Sequence, residues 1–102
     1  LGHLSRLVGF DTRNPPRRIS AGEGIFSYLM ESMPGFEFEL TDLGDGYVSL
    51  LAVRGEPSLV YNVHVDTVPS AEGWRSDPFT LVVDGGRAIG LGACDIKGAA
   101  AC

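Results

Sequence analysis

The most constraining feature of the sequence is the apolar run Leu59-Val60-Tyr61-Asn62-Val63, which passes into His64-Val65-Asp66 and stops at Thr67-Val68-Pro69. Such a run, rich in β-branched and aromatic residues, predicts a strand over Leu59–Val65, covered on both faces by the rest of the chain. On a strand, side chains at i and i+2 share a face, so His64 and Asp66 would emerge together at its end, where α/β sheets place their sites. An imidazole beside a carboxylate suits a metal centre, because a metal-bound His commonly gives its other N–H to an orienting oxygen. A solvated strand-end His and Asp would leave the same trace. The rest of the chain has to decide.

The elements around this run can be read in order. Leu4, Leu7 and Val8 recur at helical spacing and predict a short helix over residues 3–9, closed by Gly9. Phe10 to Pro16 is expected to be an extended loop, because each proline drives its predecessor out of the helical region. Ser20-Ala21-Gly22-Glu23 matches a capping box, starting a helix that runs to about Ser32 with Ile25, Phe26, Leu29, Met30 and Met33 on one stripe. Phe36, Phe38 and Leu40 alternate with Glu37, Glu39 and Thr41, the period of a half-exposed strand. Tyr47–Val53 is expected as a second strand. Phe79–Val83 and Arg87–Ile89 flank Asp84-Gly85-Gly86 as a hairpin. A helix is expected to start near Lys97, with Lys97 at the surface. Strands and helices in this mixture predict an α/β fold, a mixed β-sheet with flanking helices.

Composition excludes several functions. A net charge of −5, from 13 acidic and 8 basic side chains, argues against nucleic acid or an anionic membrane surface as partner. No apolar run approaches the length of about 20 residues that spans a bilayer, so a cytoplasmic location is the default expectation. Cys94 and Cys102 are expected to be free thiols. Gly90-x-Gly92 lacks the further residues of a phosphate-binding loop, and no nucleophile elbow surrounds Ser70 or Ser76. A chain that opens on Leu1 and closes in an unfinished helix start, Gly98-Ala99-Ala100-Ala101-Cys102, leads us to expect a piece of a larger protein.

Asp95 is the second candidate for chemistry. Like His64 it follows an apolar strand, and if both strands end at one edge the two side chains would face each other across a shared site. A carboxylate can bridge two cations, and paired zinc ions form a hydrolytic clamp. The residues alone leave this metal site and a solvated surface pair as equal readings.

Three stretches in order go further. His64-Val-Asp66-Thr-Val-Pro69, then Trp74-x-x-Asp77-Pro78-Phe79, then Gly90-Leu-Gly92-x-x-Asp95-x-Lys97-Gly98-x-x-Ala101 resemble the family of two-zinc amidohydrolases that contains acetylornithine deacetylase, succinyl-diaminopimelate desuccinylase and related carboxypeptidases. Phe10-Asp-Thr-Arg-Asn-Pro-Pro16 resembles the acetylornithine and acetylcitrulline deacetylase branch.

The resemblance implies the N-terminal part of a three-layer α/β/α catalytic domain over residues 1–102. It implies that His64 is a ligand of one zinc, that Asp95 is the bridging ligand, and that Asp66 is the catalytic-site carboxylate holding the imidazole. A cis peptide at Asp95–Ile96 would follow, as would two zinc ions in a complete site, with cobalt as an alternative. The expected substrate is a small N-acyl amino acid, an acetylated intermediate of arginine biosynthesis. The Glu-Glu pair that supplies the general base, the remaining ligands and the lid domain through which a homodimer would form are not among these residues, which hold two of the five ligands implied. The isolated chain is therefore expected to be inactive, and its uncovered sheet edges to favour self-association. A non-catalytic α/β binding or assembly module, or a related dipeptidase or desuccinylase, is the alternative.

Overall fold

A computed structural model describes all residues, Leu1–Cys102. The chain is α/β, as expected, and divides into two compact units: Leu1–Pro16 with Val63–Cys102, and Arg17–Asn62.

In the first unit, α1 (Gly2–Val8) buries Leu7 and Val8, two of its apolar stripe. Beyond α1 the chain leaves the helix and turns at Asn14–Pro16, so the loop expected to be extended from Phe10 to Pro16 is so only in part. It forms a parallel bridge with Thr67 at Arg13, with Thr67 N donating to Thr12 O at 3.0 Å and Asn14 N donating to Thr67 O at 2.9 Å. The Asn14–Pro15, Pro15–Pro16 and Asp95–Ile96 peptides are cis. Strands β3 (Val82–Asp84) and β4 (Arg87–Ile89) pair antiparallel around Gly85-Gly86, whose φ of 54° and 78° belong to the primed turn that matches strand twist. The chain ends in a wide turn, Ala93–Lys97, in which Asp95 and Ile96 lie outside helical backbone geometry, followed by a single helical turn, Gly98–Ala100.

In the second unit, α2 (Gly24–Ser32) buries Ile25 and Phe26. The capping box is not formed. Glu23 is itself the residue before the helix, with extended backbone, and no side chain caps the helix start. The helix starts after Glu23, so Ser20 does not stand at its N-cap, and the Glu23 carboxylate accepts from Arg17 at 2.9 Å instead. Strands β1 (Glu37–Asp42) and β2 (Val48–Val53) form an antiparallel pair in unbroken register from Glu37 opposite Val53 to Asp42 opposite Val48. Asp42 closes the turn, accepting from Ala21 N and Gly44 N at 2.8 Å each.

One expectation fails outright. Leu59–Val65 is not a strand. No backbone in the chain pairs with Leu59–Asn62, and Leu59, Val60 and Tyr61 are 65%, 81% and 83% exposed. Apolar, β-prone side chains make a strand only where a neighbour supplies the ladder. The sheets that do form are two separate antiparallel pairs, and the buried apolar residues are correspondingly few: Leu7, Val8 and Leu91 in the first unit, Ile19, Ile25 and Phe26 in the second.

Candidate metal centre

His64 and Asp95 meet although they lie 31 residues apart. His64 Nε2 is 3.2 Å from Asp95 Oδ1. On the other side of the ring, Nδ1 is 3.2 Å from the Asp66 carbonyl oxygen and 3.3 Å from Asp66 Oδ1. Asp66 therefore addresses the imidazole nitrogen that Asp95 does not. The side chains stay open to solvent, half exposed for His64 and more so for Asp95. Partial desolvation works against a charged His64, but the Asp66 carbonyl, the Asp66 carboxylate and then Asp95 outweigh it and hold the pKa above its ordinary 6.5.

Two segments bring these groups together, and each is held by Phe10–Asn14. Thr12, itself buried, donates from Oγ1 to Val65 O at 2.6 Å. That carbonyl lies between His64 and Asp66, so the bond fixes the backbone from which both side chains leave. On the Asp95 side, Lys97 is 1% exposed and its Nζ donates to Phe10 O at 2.9 Å. This corrects the expectation that Lys97 is a surface residue: its stem fills the interior and its ammonium ends on a carbonyl. Burial pushes that ammonium down to about 8, against the raising field of Asp11.

Gly92 locks the two segments face to face. Its φ is +75°, and a Cβ there would lie 2.5 Å from Thr67 Cγ2, closer than any side chain tolerates, so only glycine satisfies both the backbone and the contact. Thr67 is buried in this contact, and its Oγ1 has no hydrogen-bond partner. A cleft of about 270 Å³ opens where the segments meet, lined by Asn14, His64, Asp66, Thr67, Val68, residues 90–94 and Asp95.

Trp74 and Asp77, also singled out from sequence, stand apart from this cleft. Trp74 lines a separate, shallower depression with Glu72, Arg75 and Asp84. Asp77 closes its own turn, accepting from Phe79 N and Thr80 Oγ1, which hold its carboxyl below the usual range. Cys94 and Cys102 are free and exposed. No group of three or more His, Cys, Asp or Glu side chains converges to hold a metal ion, so the site offers a pair of donors. Sequence reasoning missed Thr12 and misplaced Lys97. The signal for Lys97 was its setting, a lone cation between Ile96 and the small residues Gly98-Ala99-Ala100.

A His and an Asp facing each other, with a carboxylate behind the imidazole, is a donor pair of the kind that metal sites use. The chain matches the model of Peptidase family M20/M25/M40 over residues 60–102. It is 58% identical over 101 residues to N-acetyl-L-citrulline deacetylase of Xanthomonas campestris pv. campestris, covering 99% of this chain and 28% of the relative. Two succinyl-diaminopimelate desuccinylases also align: that of Zymomonas mobilis subsp. mobilis at 45% identity over 95% of the chain and 27% of the relative, and that of Acidiphilium cryptum at 39% over 78% and 22%. The chain thus spans less than a third of the length of the relatives it matches. No helix is long and apolar enough to cross a membrane.

Proposed function

We propose that these residues carry half of a two-metal site in a protein that hydrolyses the amide of an N-acetylated amino acid, acetylcitrulline or acetylornithine. The observation that carries the reading is the 58% identity to N-acetyl-L-citrulline deacetylase along 99% of the chain. A cytoplasmic setting, a place in arginine biosynthesis, and a homodimer formed through a lid domain outside these residues belong to the same proposal.

The donor set fits zinc. A tetrahedral zinc with bonds of about 2.0–2.1 Å separates two of its ligands by roughly 3.3 Å, and His64 Nε2 and Asp95 Oδ1 stand 3.2 Å apart. His64 would be a ligand of one zinc through Nε2. Asp66 would receive the Nδ1 proton, fixing the tautomer that leaves the Nε2 lone pair free. Asp95, with two oxygens, would bridge to the second ion. Zinc, when bound, supplies Lewis-acid polarisation of the acyl carbonyl and activation of water near neutral pH; cobalt would serve the same donors. The cleft lined by Asn14 and residues 90–94 would take the reacting end of the substrate.

The test is acetate release by the full-length protein from N-acetyl-L-citrulline, N-acetyl-L-ornithine and, for contrast, succinate release from N-succinyl-diaminopimelate, after chelation and readdition of zinc or cobalt. Metal-restored turnover of an acetylated substrate, abolished by His64→Ala, is the expected result. Turnover of the succinylated substrate alone would move the assignment to a desuccinylase, and no turnover of any of the three would sink it. The 102-residue chain by itself, with two ligands and no adjacent acidic pair, is expected to bind zinc weakly in calorimetry and to release no acetate.

A further inference from the structure

The Asp95 turn has a tether that the proposed chemistry does not use. We infer that Lys97 is a positioning residue, which ties this turn to Phe10–Asn14 and thereby sets the gap between Asp95 and His64. The inference rests on the metal-site reading for its purpose and on the geometry for its substance.

Phe10–Asn14 is the common anchor. It holds the His64 side through Thr12, whose hydroxyl reaches Val65 O at 2.6 Å, and through the backbone exchange with Thr67 at 3.0 and 2.9 Å. It holds the Asp95 side through Lys97 Nζ, 2.9 Å from Phe10 O. The interior of the turn is not regular helix: Asp95 and Ile96 both lie outside helical backbone geometry. Asp95 Oδ1 is engaged by His64, and the Asp95 side chain is 83% exposed. Little that is local therefore fixes Asp95. What fixes it is the ends of the turn, where Lys97 N donates to Gly92 O at 2.9 Å and the Lys97 stem packs 3.4 Å from the place a Gly92 Cβ would occupy.

A lysine suits this task for a physical reason. Its straight four-carbon stem crosses the interior, and its terminal donor satisfies a carbonyl that a shorter or purely apolar residue would leave without that partner. Lys97 is the largest fully buried side chain of the molecule, in a core with few large members. Its replacement would cut the turn's tie to Phe10 without touching either proposed ligand.

The experiment, on the full-length protein, uses Lys97→Met, which keeps the stem and deletes the donor, and Thr12→Val, which cuts the tie on the His64 side. Cobalt(II) alone is the metal probe, with Asp95→Asn as the reference background. Lys97→Met is expected to weaken cobalt binding about tenfold, the size typical of residues that orient a ligand. It should weaken it no further once Asp95 is Asn, while thermal stability falls equally in both backgrounds. A purely structural role would lower stability and leave cobalt affinity within twofold, which would overturn the inference. The second readout needs no metal: the His64 ¹⁵Nε2 chemical shift in Lys97→Met should move toward its value in Asp95→Asn. If the parent chain binds no cobalt, the metal reading fails, and this shift still decides the tether: an unmoved shift rejects it. Should Lys97→Met not fold, the same two readouts on Thr12→Val decide whether the anchor sets the gap.

Discussion

The run that begins at Leu59 has two halves with opposite fates. Leu59–Asn62 lies open, with Val60 and Tyr61 more than four-fifths exposed and no ladder on either side. Val65–Thr67, a few residues on, is gripped by Thr12–Asn14 through three hydrogen bonds and closed off by Gly92. The two halves have the same β-prone character. What separates them is the presence of a partner backbone, supplied to the second half by a segment 53 residues earlier in the chain. Extended structure is thus a property of a pair of segments, and the candidate site sits where the pair exists.

The strongest way to break the difference is Gly92→Ala. The new methyl would meet Thr67 Cγ2 at 2.5 Å on a backbone of positive φ, and a cost of about 2–4 kcal/mol in urea unfolding is expected. Thr67→Ser, which removes the opposing methyl, should recover part of that loss; a fully additive double variant would show that the two do not press on each other.

Lys97 provides a handle through pH. Burial lowers its pKa from the ordinary 10.5 to about 8 in the folded chain. Between those values the unfolded chain keeps a proton that the folded chain has released, so stability rises as pH climbs from about 8 to 10.5, and the penalty is present in full below 8. In chelator-treated protein, the parent chain should gain on Lys97→Met by up to roughly 3 kcal/mol over this window. Comparing the two chains cancels the other titrating groups, and a constant difference would contradict the buried ammonium.

Thr12→Val removes the donor to Val65 O without changing shape, and a loss of about 1–1.5 kcal/mol is expected, with Thr12→Ser retaining most of it. The open half gives the smallest change in stability. Tyr61→Lys should shift unfolding by no more than about 0.5 kcal/mol. It should nevertheless reduce self-association in light scattering across a concentration series, because an uncharged, exposed, β-prone run is a template for pairing and a lysine interrupts it. A parent chain that stays monodisperse at high concentration would remove the basis for that expectation.

The contrast also explains what the sequence disclosed. Local periodicity gave α1, α2, the β1–β2 pair and the Gly85-Gly86 hairpin, whose determinants lie within a few residues of one another. The approach of His64 to Asp95 was legible as an expectation because both stand at the ends of apolar stretches. Three things were hidden. The fate of Leu59–Asn62 depends on a partner that its own residues do not specify. The motif at Ser20 does not cap, because the helix begins only after Glu23, a start that motif spacing does not record. Lys97 was taken for a surface residue because charge usually means exposure, and its interior position is set by Phe10, 87 residues away.

The bridge between Arg13 and Thr67 has a consequence for the order in which the chain assembles. It closes a loop that contains the whole of the Arg17–Asn62 unit. Hairpins and helices form from near neighbours in microseconds or less, whereas joining distant segments must first meet the entropy of closing what lies between them. Compaction of the enclosed unit shortens the effective span that the bridge has to close. His64 and Asp95 are thus brought into register after α2 and the β1–β2 pair are made, and hydrogen-exchange protection at Thr67 N should be acquired later than protection along β1 and β2.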